Sequence, residues 1–392
     1  MRLLFLTSRF PYPPDRGDRL TVLNLLRALS ARHRVTLISF TDGREPAEAR
    51  AQVAQHCERI ETVRLSPLRS WAQAWLGLPS SLPSQVSYYR SGAMRALVDR
   101  VLAEEAHDLI FNHTIRMAPY VRFARHPLKV LWLGDSLGMA LGLSMPFEPW
   151  WKRPGIAWER RRVDAFEARI SREFSETWAL SPVDRDDMIR IGCRNVVLIT
   201  HGVDERLFEM RRTSGAGHRV VFLGNLSVPH NRDAARFAAQ EVWPHVLRAV
   251  PDAQLRIAGA DPGPEVLSLG SLDGVQVIGP VPDLRDLWAD ADVLLSPLRF
   301  STGIQNKLLE AMAAGVPVVT TPAAAEALGA RSGEHALVAE SPQDLAAAVV
   351  TALRDPEASA ARAARARELV RAEFSWETAV KRLEWVAAQP PG

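Results

Sequence analysis

Short apolar runs recur along this chain, each followed by a stretch of helical spacing, and that alternation leaves few architectures open. The first half carries RLLFLTS, RVTLISF, RIETVRL, DLIFNHT, KVLWLGD, ETWALS and NVVLITHGV; the second carries RVVFLGN, AQLRIAGA, VQVIGPV, DVLLSP, PVVTT and HALVAE. Strands separated by helices pair in parallel, with the helices crossing over the faces of the sheet. The expected fold class is α/β with doubly wound sheets. At 392 residues the chain is long for one core, so two domains are expected.

Between the two halves lies RRTSGAGH, small, polar and aperiodic, which reads as a hinge. Residues 1–212 are expected to form the first domain, 213–218 a linker, 219–374 the second domain and 375–392 a C-terminal helix. Ser375 stands where that helix could be capped, although Thr378 occupies the place where a capping box carries Glu or Gln. Its apolar set, Trp376, Val380, Leu383 and Trp385, must pack either on helices of the second domain or back on the first.

Several function classes fall away. A net charge of +3 with dispersed Lys and Arg gives no stripe for nucleic acid. Only Cys57 and Cys193 occur, with no CxxC, which argues against a disulfide scaffold or a zinc site and suits a reducing, cytoplasmic compartment. The opening MRLLFLTSRF is too short in its apolar core for a signal peptide and reads as a buried strand. No apolar run approaches the ~20 residues of a membrane span.

The segment PLRFSTGIQNKLLEAMAAGVPVVTT places Arg299, Lys307 and Glu310 in otherwise apolar surroundings. It follows the strand DVLLSP, and ligands of open α/β sheets sit beyond the carboxyl ends of strands. A helix expected to begin near Gly303 would present free N–H groups to an anion, with Lys307 one turn in and Glu310 on the same face. Cations and N–H groups suit a diphosphate, and a carboxylate suits the hydroxyls of a ribose. The other reading is a surface Lys–Glu pair three residues apart, worth a few tenths of a kcal/mol.

GIQNKLLEAMAAGVPVV closely resembles the donor-binding helix of the retaining glycosyltransferases of family four, whose GT-B fold consists of two Rossmann-like domains facing across a cleft. More narrowly the chain is similar to sugar transferases associated with exopolysaccharide and exosortase gene clusters. FPYPPDRGDRLTVLNLLRALSARHRVTL, the GDS at Gly134 to Ser136, ITHGVDERLF, FLGNLSVPHNRDAARFAAQEVWP and VIGPVPDLRDLWADADVLLSPL extend the likeness over nearly the whole chain. The resemblance implies a metal-independent, retaining transfer of a sugar from a UDP- or GDP-linked donor to a glycan or lipid-linked acceptor, with no cofactor. It implies that Glu310 holds the ribose, Lys307 and Arg299 the diphosphate, backbone near Gly279 and Val281 the base, and Gly17 the loop under the donor phosphates. Gly224, Asn225, Thr302 and Gly303 complete the implied donor set; Arg19, His113 and Asp135 form the acceptor set, with Asp135, Lys307 and Glu310 as the groups nearest the chemistry. Thr302 replaces a glutamate often present eight positions before Glu310. Asn225, Asn231 and Arg232 stand where a basic pair is common. Two other readings stay open: a nucleotide-sugar epimerase on the same fold, and an inert nucleotide-sugar-binding partner.

Asp290 and Asp292 form an Asp-x-Asp that reads as structural, closing a short helix ahead of a strand. His113 could equally be a hydrogen-bonded structural histidine, and His33 reads as the entry to a strand. Residues 150–162 mix Trp150, Trp151 and Trp158 with Lys152, Arg153 and Arg160 to Arg162. That mixture suits peripheral contact with the inner face of a membrane or a lipid-linked acceptor. The alternative is a long amphipathic helix packed on the first domain.

Overall fold

The computed structural model describes every residue except 15–16, 44, 125, 127, 213–216, 301–303 and 390–392. The chain forms two compact units, Met1–His201 with Trp376–Gly392, and Gly202–Ser375.

The first unit holds β1 (Arg2–Thr7), β2 (Arg34–Thr41), β3 (Arg59–Arg64), β4 (Leu109–His113), β5 (Lys129–Gly134), β6 (Glu176–Ala179) and β7 (Val196–Leu198). Their order is β3-β2-β1-β4-β5-β6-β7, and every pairing is parallel. Helices cover both faces, so Leu3, Leu4, Phe5 and Leu6 are all fully buried instead of alternating in and out. Phe111 packs against Phe5, Trp132 and Trp178 with ring centroids 4.9, 5.8 and 5.3 Å away.

The C-terminal helix Trp376–Ala388 belongs to this unit. Trp376 joins the aromatic cluster edge-on to Trp132 and stacks on His201 at 5.9 Å. Arg382 donates to Glu176 (Nε to Oε2, 3.1 Å), and His33 meets Glu384 at 3.1 Å. The apolar face of the helix therefore covers the first sheet's flank, the second of the two alternatives its sequence left open.

The second unit holds β8 (Arg219–Leu223), β9 (Gln254–Ala258), β10 (Val275–Gly279), β11 (Val293–Ser296), β12 (Val318–Thr320) and β13 (Leu337–Val338). Their order is β10-β9-β8-β11-β12-β13, again all parallel. Each apolar run read from the sequence has become a strand. Residues 202–212, expected with the first domain, lie in the second unit, where Arg212 donates to the carbonyls of Gly315 and Ala291, both at 2.5 Å. Most of the expected linker, 213–216, lies outside the described residues.

Asp290 and Asp292 hold the amino end of the second sheet together. Asp290 receives Arg219 at 2.6 Å and Arg256 at 2.9 Å, and Asp292 accepts the Arg219 N–H at 2.8 Å.

Candidate functional site

In each sheet the strand order reverses direction between two neighbours, β1 and β4 in one unit and β8 and β11 in the other. Crevices at such points, beyond the carboxyl ends, are where this architecture takes ligands.

Beyond β8 the chain turns at Gly224 and Asn225 and enters the helix Pro229–Phe237. Asn225 folds its carbonyl oxygen back on the N–H and hydroxyl of Ser227, at 3.1 and 2.6 Å, which fixes the turn. The Asn225 main-chain carbonyl accepts the Asn231 amide at 3.1 Å. A Cβ at residue 224 would lie 2.8 Å from Asn231 Cγ, so only glycine lets Asn231 sit this close to the end of β8. Gly259 (φ +142°) is tighter still, because a Cβ there would fall 1.7 Å from the Gly224 carbonyl oxygen.

Beyond β11 stands the helix Asn306–Ala313. It begins at Asn306, not near Gly303, because Gln305 is extended (φ −90°, ψ 106°). Lys307 consequently lies within the first turn and Glu310 three residues on. The expected site positions Thr302 and Gly303 lie outside the described residues.

Lys307 and Glu310 are each only 7% exposed, which excludes the surface pair. Nor do they join in an ion pair among the described residues. Lys307 Nζ donates to Asn231 Oδ1 at 2.5 Å and lies 5.2 Å from the Phe222 ring centroid. The Glu310 carboxylate has no hydrogen-bond partner among the described residues. Burial lowers Lys307 to about 7, with Glu310 opposing the shift. Burial raises Glu310 to about 8, Asp204 adding to the rise and Lys307 opposing it. Burial disfavours both charges, and a bound anion with donating hydroxyls would offset that for each.

Arg299 is differently placed. Asp233 takes its guanidinium with two hydrogen bonds, one of them Nε to Oδ2 at 2.9 Å, and Phe237 lies beneath it at 4.9 Å. Its charge is therefore shared before any ligand arrives. Gly279 ends β10 with φ +71° and open space where a Cβ would stand, and Val281 just beyond is half-buried. His230, a further candidate beside Lys307, is one that reading the sequence passed over. Burial and then Lys307 lower it to about 4. Its position immediately before Asn231 was the available signal.

In the first unit, Gly17 is exposed and opens the helix Gly17–Ser30. Arg19 is half-buried on the first turn of that helix. His113 ends β4 and is buried; Thr7 Oγ1 lies 3.1 Å from its Nδ1 and burial lowers it to about 4. It is thus a neutral, hydrogen-bonded histidine. Asp135 follows β5 with part of its surface open to water. Although the residue as a whole is exposed, desolvation of its carboxyl and then the like charge of Asp184 push it up to about 8. The adjacent Ser136 N–H is anchored on Asp184 Oδ1 at 2.8 Å. Gly224, Asn225, Lys307 and Glu310 thus gather at one crevice of the second unit, whereas His113 and Asp135 sit at strand ends of the first.

Among the described residues no three His, Cys, Asp or Glu side chains gather as metal ligands. Of residues 150–162, Trp150, Trp151 and Trp158 are exposed, while the helix Arg153–Ile170 buries Arg162, Val163, Phe166, Glu167 and Ile170. The helix is thus packed along its later turns and bare at its start. No helix among the described residues is long and apolar enough to cross a membrane.

Two family models match the chain, a glycosyl transferase 4-like domain over residues 17–202 and glycosyl transferases group 1 over residues 217–355. A Klebsiella pneumoniae relative, described as an uncharacterized 44.6 kDa protein in the cps region, is 24% identical over 86% of this chain and 87% of its own length. A Mycobacterium tuberculosis relative, described as a GDP-mannose-dependent alpha-(1-6)-phosphatidylinositol dimannoside mannosyltransferase, is 30% identical over 55% of this chain and 58% of its own. Among solved structures, Anabaena HepE in complex with UDP and glucose superposes with TM-score 0.68 at 18% identity, covering 99% of this chain and 100% of that one. WaaG, a glycosyltransferase involved in lipopolysaccharide biosynthesis, superposes with TM-score 0.67 at 18% identity, with the same coverage.

Proposed function

The chain belongs to the group 1 glycosyl transferases, nucleotide-sugar enzymes with the GT-B fold, and from that premise we propose that it moves a hexosyl group with retention from a UDP- or GDP-linked donor to a hydroxyl of a glycan or lipid-linked acceptor. The observation that carries this reading is the burial of Lys307 and Glu310, neither in an ion pair among the described residues, at the crevice between β8 and β11. A nucleoside diphosphate matches them group for group: phosphate oxygens for Lys307, ribose hydroxyls for Glu310. Backbone at Gly279 and Val281 would border the base, and the Gly224–Asn225 turn the phosphates. Arg299, its charge already shared with Asp233, would add less than Lys307.

In the transfer, the bond from the anomeric carbon to the diphosphate oxygen breaks and a bond to the acceptor oxygen forms on the same face. The acceptor proton passes to the departing diphosphate. Lys307 and the N–H groups at the start of its helix stabilise the charge that develops on the leaving oxygen. Of the first unit's groups we assign Asp135 and Arg19 to the sugar or acceptor and Gly17 to the donor. These groups need no divalent ion, so turnover should survive EDTA.

The Klebsiella relative's place in a cps region supports a role in capsule or exopolysaccharide assembly, and the mycobacterial relative's name supports a lipid-borne acceptor. Such work belongs on the cytoplasmic side of a membrane, which the exposed Trp150 and Trp151 also suit. The test is product analysis with UDP- and GDP-hexoses and lipid-linked or glycan acceptors, with the anomeric configuration read by NMR. The expected products are an α-configured glycoside from an α-linked donor and free nucleoside diphosphate. An epimerised donor, or binding without any product, would replace this reading.

A further inference from the structure

The helix Pro67–Leu76 of the first unit is packed the wrong way round for a soluble surface. Its small residues Ser70 and Ala74 face the protein, while Leu68, Trp71, Trp75 and Leu76 are 85, 61, 70 and 82% exposed. Spaced three, seven and eight residues from Leu68, they form one stripe. An apolar stripe of this size standing in water marks a surface that something covers.

The charge around it is mostly basic; the one carboxylate reaching the segment after it among the described residues, Glu159 at Ser84, is paired with Arg162 at 2.9 Å. Between Glu61 and Asp99 the sequence has no acidic residue, but it has Arg64, Arg69, Arg90 and Arg95. Behind the helix lies a cavity of about 460 Å³ whose walls include Gln73, Leu76, Tyr89, Arg90, Arg95 and Arg116, with no carboxylate among the described lining residues. Arg95 is held in place by the Tyr120 carbonyl at 2.6 Å and by the face of the Tyr120 ring. Arg116 lies over Tyr89 and donates to Gln85 at 2.9 Å. The exposed Arg90 guanidinium has no hydrogen-bond or ion-pair partner among the described residues. Gln73 Oε1 is buried without a donor, a place for a ligand hydroxyl. Arg162 donates to the Gly77 carbonyl at 3.0 Å and stacks on the exposed Trp158, which extends the aromatic surface past the end of the helix.

We propose that this helix and the cavity behind it bind an anionic phospholipid, the stripe lying in the headgroup layer of a membrane and the arginine-lined cavity receiving the phosphate. Tryptophan favours that layer because its ring is apolar and its N–H polar. A short amphipathic helix flanked by arginines lies in the surface plane and is drawn to anionic lipid. The inference goes beyond sugar transfer and would stand if the chain transferred nothing, since binding is read without any donor.

The experiment is co-sedimentation of the full chain with vesicles of phosphatidylcholine alone or mixed with phosphatidic acid, at low and high salt. Wild type should bind the anionic vesicles and release as salt rises. Trp71→Ser with Trp75→Ser should weaken binding roughly tenfold or more. Arg90→Gln should weaken it about fivefold and Arg90→Lys much less. All three positions are exposed, and unchanged melting of the variants is the check that they fold. Dihexanoyl phosphatidic acid should compete with the vesicles, and inorganic phosphate should compete far more weakly. Equal binding to neutral and anionic vesicles would overturn the anionic-lipid assignment, and no binding to either, or wild-type binding by the tryptophan pair variant, would overturn the stripe as the membrane surface. Wild-type binding by Arg90→Gln, or equal competition by inorganic phosphate, would overturn the headgroup site.

Discussion

The Asn306–Ala313 helix buries a lysine and a glutamate, and the Pro67–Leu76 helix turns two tryptophans and two leucines to water. Each reverses the usual arrangement, in opposite senses. The energetic consequences differ as well. A desolvated ion costs several kcal/mol until a counter-charge arrives, so the first helix weakens its own unit while empty. An exposed tryptophan costs the folded state almost nothing, because it is as wet when unfolded. Ligand binding should therefore be visible in the stability of the second unit, whereas the stripe of the first should be silent until a membrane is supplied.

The largest test of this contrast is Glu310→Gln. Losing charge-assisted contacts to ribose hydroxyls, at about 1.5–3 kcal/mol each, should lower kcat/KM for the nucleotide sugar by about a hundredfold or more while circular dichroism stays unchanged. Wild-type turnover would break the comparison at its first half.

Next in size is the thermal response. A nucleoside diphosphate at about 100 times its dissociation constant adds about 2.7 kcal/mol to the native state, a rise of about 5–10 °C for a unit of this size. The transition belonging to the second unit should carry the rise, and both Lys307→Met and Asn231→Leu should lose most of it. An equal response in Lys307→Met would remove the lysine from the phosphate site.

A smaller effect is a dip in stability with pH. Glu310 rises from 4.5 to about 8 on folding, so the folded state binds more protons between those values and stability falls as pH climbs through them. Lys307 falls from 10.5 to about 7, so the unfolded state binds more protons in that window and stability climbs with pH. The unliganded second unit should melt lowest near pH 7–8, and the double variant Glu310→Gln with Lys307→Met should flatten the profile. A wild-type profile with no dip would mean that the two groups titrate normally.

The smallest expected effect sharpens the other half. Trp71→Ser with Trp75→Ser should change the stability of the first unit by less than about 0.5 kcal/mol per site, measured by urea unfolding without lipid. A loss of several kcal/mol would show that the stripe packs on the protein.

What the sequence made legible follows the same division. Runs such as RLLFLTS and DVLLSP could be read as strands because both faces of a parallel sheet are covered, leaving no alternation to decode. Lys307 and Glu310 stood out because charge in an apolar setting is costly. The grip of Asn231 on Lys307, 76 residues away, and of Asp233 on Arg299, 66 residues away, was invisible because folding alone brings those pairs together. The stripe of Pro67–Leu76 has the spacing of a core-facing helix, and periodicity says only that one face differs from the other, not which meets water. The start of the Asn306–Ala313 helix was misjudged by three residues because Gly303 offered a plausible opening, while the extended backbone of Gln305 postpones it to Asn306.

The return of Trp376–Ala388 to the first sheet also bears on how the molecule is made. Ribosomal synthesis runs from amino to carboxyl end, so Trp132, His33 and Glu176 emerge before the second unit and their partners Trp376, Glu384 and Arg382 only after it. At ~5–20 residues per second the intervening Gly202–Ser375 takes about 10–30 s to translate. Throughout that interval the nascent first sheet has an uncovered aromatic flank. The unit begun first is the one completed last, and a message truncated anywhere in the second half would leave that flank open in the product.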